Sequence, residues 1–375
     1  MGTGLNVSAE MLTWAIARAG YDLHEFATKV PNVLKWIEGD KKPTFKQLED
    51  FSKKVYLPFG YLFLPEPPKE TLPIPFFRTN SAETAQVSIN VYDTILLLQQ
   101  RQDWLRVYLA DNEFETLDFV GKYRNSNNVN KIVADIRRTL KMPDNWASHY
   151  NTWSEALENL ISHIEDIGIV VVFNGIVGNN TSRLISVDEC RGFVLVDDVA
   201  PFMFVNNSDG KAAQMFTIVH ELAHIWTGQS AGFDFRKLTP ADNPNEILCD
   251  KIAAEFLVPV TTFNNIWATN PNINELARFF KVSEIVVARR ALDLGKITRS
   301  KFFEFYDEYK NREFKNKETK RTGGNFYATT RKRLGLTFST HVNNAVKSGQ
   351  LLYRDAYKLT GLKGDVFQTY FTKHL

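Results

Sequence analysis

His220-Glu221-Leu222-Ala223-His224 places two imidazoles four residues apart, with a carboxylate beside the first. Residues i and i+4 share one face of a helix, so both rings can reach a single metal ion. Glu221 is turned about 100° from His220, given roughly 3.6 residues per turn. That offset keeps it from being a ligand and leaves it near a water on the metal. The chemistry this pattern suits is hydrolysis of a peptide bond. Zinc lowers the pKa of a water in its open position to about 7, and Glu221 is the base that removes the proton and returns it to the leaving amine. The pattern alone arises by chance in roughly one chain of this composition in a hundred. Two core histidines bonded to backbone carbonyls are the plainer alternative. The apolar neighbours weigh against it, because a metal supplies the partner that buried imidazoles and a buried carboxylate otherwise lack. The donor facing the oxyanion stays open: a Tyr, His or Arg of another segment.

A catalytic zinc site takes three protein ligands and keeps a fourth position open. Six residues past His224 stands Ser230 rather than a third histidine, so a carboxylate from a following helix is expected. In the stretch 243–259, Asn243 is placed to cap, Pro244 takes the first helical position, and Glu246 and Asp250 fall one turn apart on the same face. Glu246 is the expected third ligand. Asp250 is the expected acceptor for the free ring N–H of a ligating histidine, which fixes its tautomer. Glu246 also stands at capping-box distance from Asn243, and that role competes for the same carboxylate. Glu255 is the reserve ligand, in a stretch that otherwise reads as packing.

A helix is predicted over 211–227, with Ser208 or Asp209 to cap it and Gly228 to end it. Ahead of it, short runs rich in Val, Ile and Phe at 169–173, 192–196 and 202–205 predict strands. An extended substrate is expected to add as an edge strand beside 202–205. Helices are predicted at 87–109, 129–140 and 154–165 from their amphipathic spacing. The first 65 residues read as four short helices, two of which open in capping-box form at Asp22 to Glu25 and Thr44 to Gln47. Five prolines between Pro65 and Pro75 then favour a stiff extended connection. The fold class is α+β, mostly helical, with a small sheet at its centre. The expected parts are a helical module (1–65), a proline-rich linker and helical connector (66–145), the metal domain (146–265), a helix-turn-helix segment (266–300) and a basic helical region (301–375).

The chain has 375 residues, 44% of them hydrophobic, enough for a sizeable core. Its net charge of +2 gives no global push toward nucleic acid. The charge is uneven, with 12 Lys and Arg against 5 Asp and Glu between Lys296 and Arg333. That stretch suits a phosphate backbone or an acidic partner, or is a solvated helix face. No apolar run reaches the roughly 18 residues of a membrane span, and no signal peptide opens the chain, so a cytoplasmic protein is expected. Cys190 and Cys249 stand far apart without ligand spacing and read as inert, half-buried thiols.

With these residues placed, the chain resembles the ImmA/IrrE family of metallopeptidases, in the subgroup with an N-terminal helix-turn-helix of the XRE type. The likeness is carried by Phe216-Thr-Ile-Val-His-Glu-Leu-Ala-His224, by 246–259, and by 36–44 followed by Gln47-Leu48. The resemblance implies a zincin-like core with a gluzincin-like zinc site, His220, His224 and Glu246 as ligands and Glu221 as base. It also implies an antirepressor that cleaves a cognate XRE-type repressor, its protein partner, and so induces genes of mobile elements, stress response or phage defence. The competing expectation is an antitoxin or DNA-binding transcriptional regulator with a vestigial peptidase centre, and Glu221 argues against it. One departure stands out. Ala27 and Trp36 are nine residues apart, roughly one helical turn fewer than in ordinary domains of that type. The N-terminal module is therefore expected to pair with the repressor's own similar domain, with weak DNA contact as the lesser option. The segment 273–292 has complete helix-turn-helix spacing, with Ser283 to cap its second helix. In similar peptidases such segments pack on the metal domain, and that role stands beside nucleic-acid or substrate contact.

Overall fold

The computed structural model describes residues 4–70, 76–77, 87–233, 243–315 and 325–375. Two compact units are distinguished, Met1–Pro73 with Thr84–Ile95, and Ile74–Glu83 with Leu96–Leu375.

In the first unit, helices α1 (Ala9–Arg18), α2 (Leu23–Lys29), α3 (Val33–Ile37) and α4 (Phe45–Lys54) surround Met11, Leu12, Ile16, Phe26, Trp36, Leu48 and Phe51. Thr44 and Gln47 form the reciprocal capping box that their spacing predicts. At Asp22 only half of it forms: Asp22 accepts from the amides of His24 and Glu25, while Glu25 pairs with Lys29 at 2.9 Å. Helix α3 is five residues long, and both Val33 and Trp36 are buried. The proline-rich connection is described as far as Glu70, which pairs with Arg18 at 2.7 Å; residues 71–75 of it lie outside the described residues. Helix α5 (Ile89–Asp111) begins in this unit and continues into the second.

The second unit is built on a mixed sheet of β1 (Phe76–Phe77), β2 (Val170–Asn174), β5 (Gly192–Leu195), β6 (Phe202–Asn206) and β7 (Ala231–Phe233), in the order β1-β7-β5-β6-β2. A hairpin of β3 (Ile176–Val177) and β4 (Asn180–Leu184) stands apart from it. Side chains alternate across a strand. Val171, Phe173, Val194, Met203 and Val205 accordingly face one core, shared with α6 (Val129–Leu140), α7 (Trp153–Asp166), α8 (Lys211–Thr227) and α9 (Pro244–Leu257). On the opposite face Phe202 meets Phe338, with ring centroids 5.7 Å apart. Strand β6 is therefore interior, parallel to β2 on one side and antiparallel to β5 on the other. The expected docking of a substrate beside 202–205 is corrected by this pairing, since neither edge of that strand is free.

Helices α10 (Val260–Thr269), α11 (Ile273–Phe280) and α12 (Glu284–Asp293) follow. The helix-turn-helix-spaced segment puts Leu276, Ala277, Phe280, Val282, Val287 and Ala291 into the same core as α8, with Ser283 capping α12 as its spacing predicts. Helix α13 (Arg299–Lys315) and α14 (Phe326–Leu334) carry the basic stretch, of which 316–324 lie outside the described residues. Helices α15 (Leu336–Lys347), α16 (Tyr353–Thr360) and α17 (Gly364–Lys373) close the chain. Among the described residues no helix is long and apolar enough to cross a membrane.

The start of α15 is held by Glu165, whose carboxylate accepts from the Leu336 amide at 2.7 Å and the Thr337 amide at 3.4 Å. Burial nonetheless lifts the Glu165 carboxyl from 4.5 to about 7. A value raised on folding means that the neutral acid is the form the fold favours. Its contribution is whole below pH 4.5 and is lost as pH rises through about 7. Glu165→Gln should therefore unfold with a flatter pH dependence than the wild type. The two should diverge by on the order of 2–3 kcal/mol between about pH 5 and pH 8 in urea melts. Parallel pH profiles would show that Glu165 does not titrate in that range.

Candidate metal centre

Helix α8 is buried on every side, with Met215, Ile218, Val219, Leu222, Ala223, Ile225 and Trp226 in the core. A polar group on such a helix must find its partner inside the protein. The helix starts at Gly210, which makes no side-chain cap; the expected caps Ser208 and Asp209 do not serve. Gln214 instead reaches back to the carbonyls of Asn207 and Asp209, and the Asp209 carboxylate pairs with Arg191. Gly228 ends α8 in the left-handed conformation, φ 73°, and the Gln229 amide closes on the His224 carbonyl at 3.0 Å.

Helix α9 packs against α8. Asn243 accepts from the Asn245 amide at 2.9 Å and Pro244 occupies the first turn. The Glu246 carboxylate turns toward the imidazoles. Its Oε2 lies 3.1 Å from Nε2 of His220 and its Oε1 3.3 Å from Nε2 of His224, and the two Nε2 atoms are 3.1 Å apart. The three residues are buried, and one ligand atom from each lies within 4.8 Å of the others. Ligands at about 2.0–2.1 Å from zinc along tetrahedral directions stand about 3.3 Å apart, so this spacing suits a small cation. Asp250, one turn along α9, has Oδ1 at 3.0 Å from Nδ1 of His220. With Nδ1–H donating there, the Nε2 lone pair faces Glu246 and His224.

A second test is satisfaction of the buried groups. Among the described residues both carboxylate oxygens of Glu221 and Nδ1 of His224 are shut off from solvent without a hydrogen-bond partner. Burial lifts the Glu221 carboxyl to about 8 and pushes His224 down. Burial would also lower His220, but the hydrogen bonds to Asp250 and Glu246 outweigh it and raise that ring; the same histidines draw the Glu246 carboxyl down against its own burial. Without a cation, two Nε2 atoms 3.1 Å apart beside a buried carboxylate need a proton on at least one of the rings. A buried charge cluster of that kind is costly. A divalent ion removes the conflict, and His220, His224 and Glu246 could hold one.

Glu255 does not approach this cluster. It lies nine residues beyond Glu246, about 180° around the helix. Its carboxylate pairs with Arg290 and accepts from the Val260 amide at 3.2 Å, while Arg290 also donates to the Val258 carbonyl. The reserve ligand is thus an anchor for α12. Both cysteines are buried completely rather than by half, and burial raises the Cys249 thiol well above its ordinary value.

One contributor escaped the sequence reading. Gly192 opens β5 beneath α8, where a Cβ would fall 2.4 Å from Thr217 Cγ2, 2.9 Å from the Phe204 carbonyl oxygen and 3.3 Å from Glu221 Oε1. A glycine inside a strand run is the available signal for such a close approach. Gly192→Ala should cost about 1–3 kcal/mol, because the Phe204 backbone cannot yield as a side chain can. Urea denaturation measures this, and an unchanged midpoint would mean that helix and sheet separate freely.

Residues 164–292 match the model of the IrrE N-terminal-like domain, a peptidase family, and residues 334–373 match a domain of unknown function (DUF8813). The first match contains the whole metal cluster and supports a metallopeptidase-type, metal-dependent function for this part of the chain. Comparison with curated proteins and with solved structures finds no significant match.

Proposed function

We propose that the chain is a zinc-dependent endopeptidase that cleaves a repressor-like protein. The observation that carries this reading is the convergence of His220, His224 and Glu246 on one buried point, with the unpartnered Glu221 carboxylate on the same helix. Bound there, zinc would supply Lewis acidity and a water of lowered pKa. The chain's own residues do the remaining work. Glu221 accepts the water's proton and hands it to the departing amine, and the burial that lifts its carboxyl makes it able to hold that proton between the two steps. Asp250 fixes the His220 ring so that the Nε2 lone pair faces the position a metal would take. A site that used zinc only for stability would have no need of Glu221, whose burial without partners is unfavourable.

The substrate class rests on the family likeness. A recognition helix must reach the major groove with its N-terminal residues; α3 has one turn, and Val33 and Trp36 are turned into the core. This favours the N-terminal unit as a module that pairs with the repressor rather than one that reads DNA. The test is incubation of the zinc-loaded chain with the XRE-type repressors encoded in the same genome. Two repressor fragments are expected, absent with a chelator. An intact repressor, together with salt-dependent DNA binding by the chain, would move the assignment to a transcriptional regulator.

A further inference from the structure

The outer edge of β7 is taken by a piece of the same chain, in line with Glu221. On one side β7 pairs antiparallel with β5, Phe233 opposite Gly192; on the other it pairs parallel with β1, Phe77 opposite Phe233. Phe77, Phe233 and Gly192 thus form one row across the sheet. At Gly192 that row passes under the Glu221 carboxylate, since a Cβ there would lie 3.3 Å from Glu221 Oε1. At about 4.8 Å per strand, the Phe77 backbone is roughly 10 Å across the sheet from Gly192.

An extended polypeptide is recognised through main-chain hydrogen bonds to an open edge. Strands β5 and β6 are paired on both sides, and β2, at the far end of the sheet, packs against α14 and α15. The edge nearest Glu221 that could receive a peptide is therefore that of β7, and β1 covers it. The cover is slight. Among the described residues it is two residues long and parallel, the weaker pairing per residue, and in the sequence it directly follows Pro75, which has no amide to donate.

We propose that Phe76–Phe77 is an internal occupant of the substrate edge, closing β7 in the resting chain and yielding to an extended segment of the target. The word substrate rests on the peptidase reading; the displacement of β1 does not. The test is the full chain carrying F76P/F77P, which removes whichever of the two amides donates to β7, successive amides of a strand pointing to opposite edges. Amides 231–233 should then exchange hydrogen at least about tenfold faster, and a synthetic peptide of residues 72–79 should bind the variant and not the wild type. The zinc-loaded variant should also cleave casein several-fold faster. If the two prolines disturb folding, F76S/F77S keeps the amides and should shift each readout in the same direction by less. Unchanged exchange at 231–233 in both variants overturns the proposal. Faster exchange with slower cleavage also overturns it, because β1 would then be the platform on which substrate adds. Faster exchange and peptide binding, with casein left intact by every form, uphold the displaceable edge and remove the peptidase reading instead.

Discussion

Glu221→Gln is expected to lower peptide hydrolysis by about 10²–10⁴-fold, the range a positioned general base contributes, while zinc content stays stoichiometric. Glutamine keeps the shape, which matters where Gly192 and Thr217 leave little room on β5 and α8. It also removes a charge that the interior does not favour, so the fold should be at least as stable as before. The sign follows from the raised carboxyl. In the metal-free protein the neutral acid of Glu221 stabilises the fold below pH 4.5, and that contribution is lost as pH rises through about 8. The advantage of the variant over wild type should therefore grow across that window. Initial rates, metal analysis and denaturation of the metal-free proteins at several pH values measure the three effects. Cleavage near the wild-type rate would take Glu221 out of the chemistry; loss of zinc would place it among the ligands.

Glu246→Ala is expected to abolish stoichiometric zinc binding, and with it the stability that zinc confers. At free zinc a thousandfold above its Kd, that stability amounts to about 4 kcal/mol in the wild type. The variant should also be weaker without metal, because it leaves a buried histidine cluster uncompensated, a loss of about 3–5 kcal/mol. Thermal unfolding with and without zinc separates these terms. Asp250→Ala, which deprives His220 of its acceptor, should weaken zinc about 10–100-fold without abolishing it. Equal stabilisation of Glu246→Ala and wild type by zinc would mean that the third ligand lies elsewhere.

The contrast between Glu246 and Glu255 shows how far spacing reaches. Helical period puts Glu246 and Asp250 on one stripe, and the structure turns that stripe toward His220. The same period puts Glu255 on the opposite side, where Arg290 meets it. The need for a third donor favours Glu246 facing the imidazoles over folding back on its own helix start, although both demands fall on one carboxylate. The packing of α9 on α8 settles the direction. Residues 202–205 are a continuous apolar run, and such a run reads alike in the middle of a sheet and under a covered edge. Its interior place depends on β2 and β5, and the edge near Glu221 depends on β1 and β7, which among the described residues are two and three residues long, too short to show a period.

The amino-acid sequence alone determined the local matters: the helix that carries both histidines, its glycine stop, the stripe of acids on the next helix, and the mostly helical α+β composition. Each rests on contacts within about one turn or one strand pair, whose energies act between near neighbours in the chain. Only the tertiary structure decided which carboxylate meets the rings, which strand lies at the edge, and how closely α8 approaches Gly192. Those outcomes join residues tens to more than a hundred positions apart, and they follow from packing the whole core rather than from any segment's own preference.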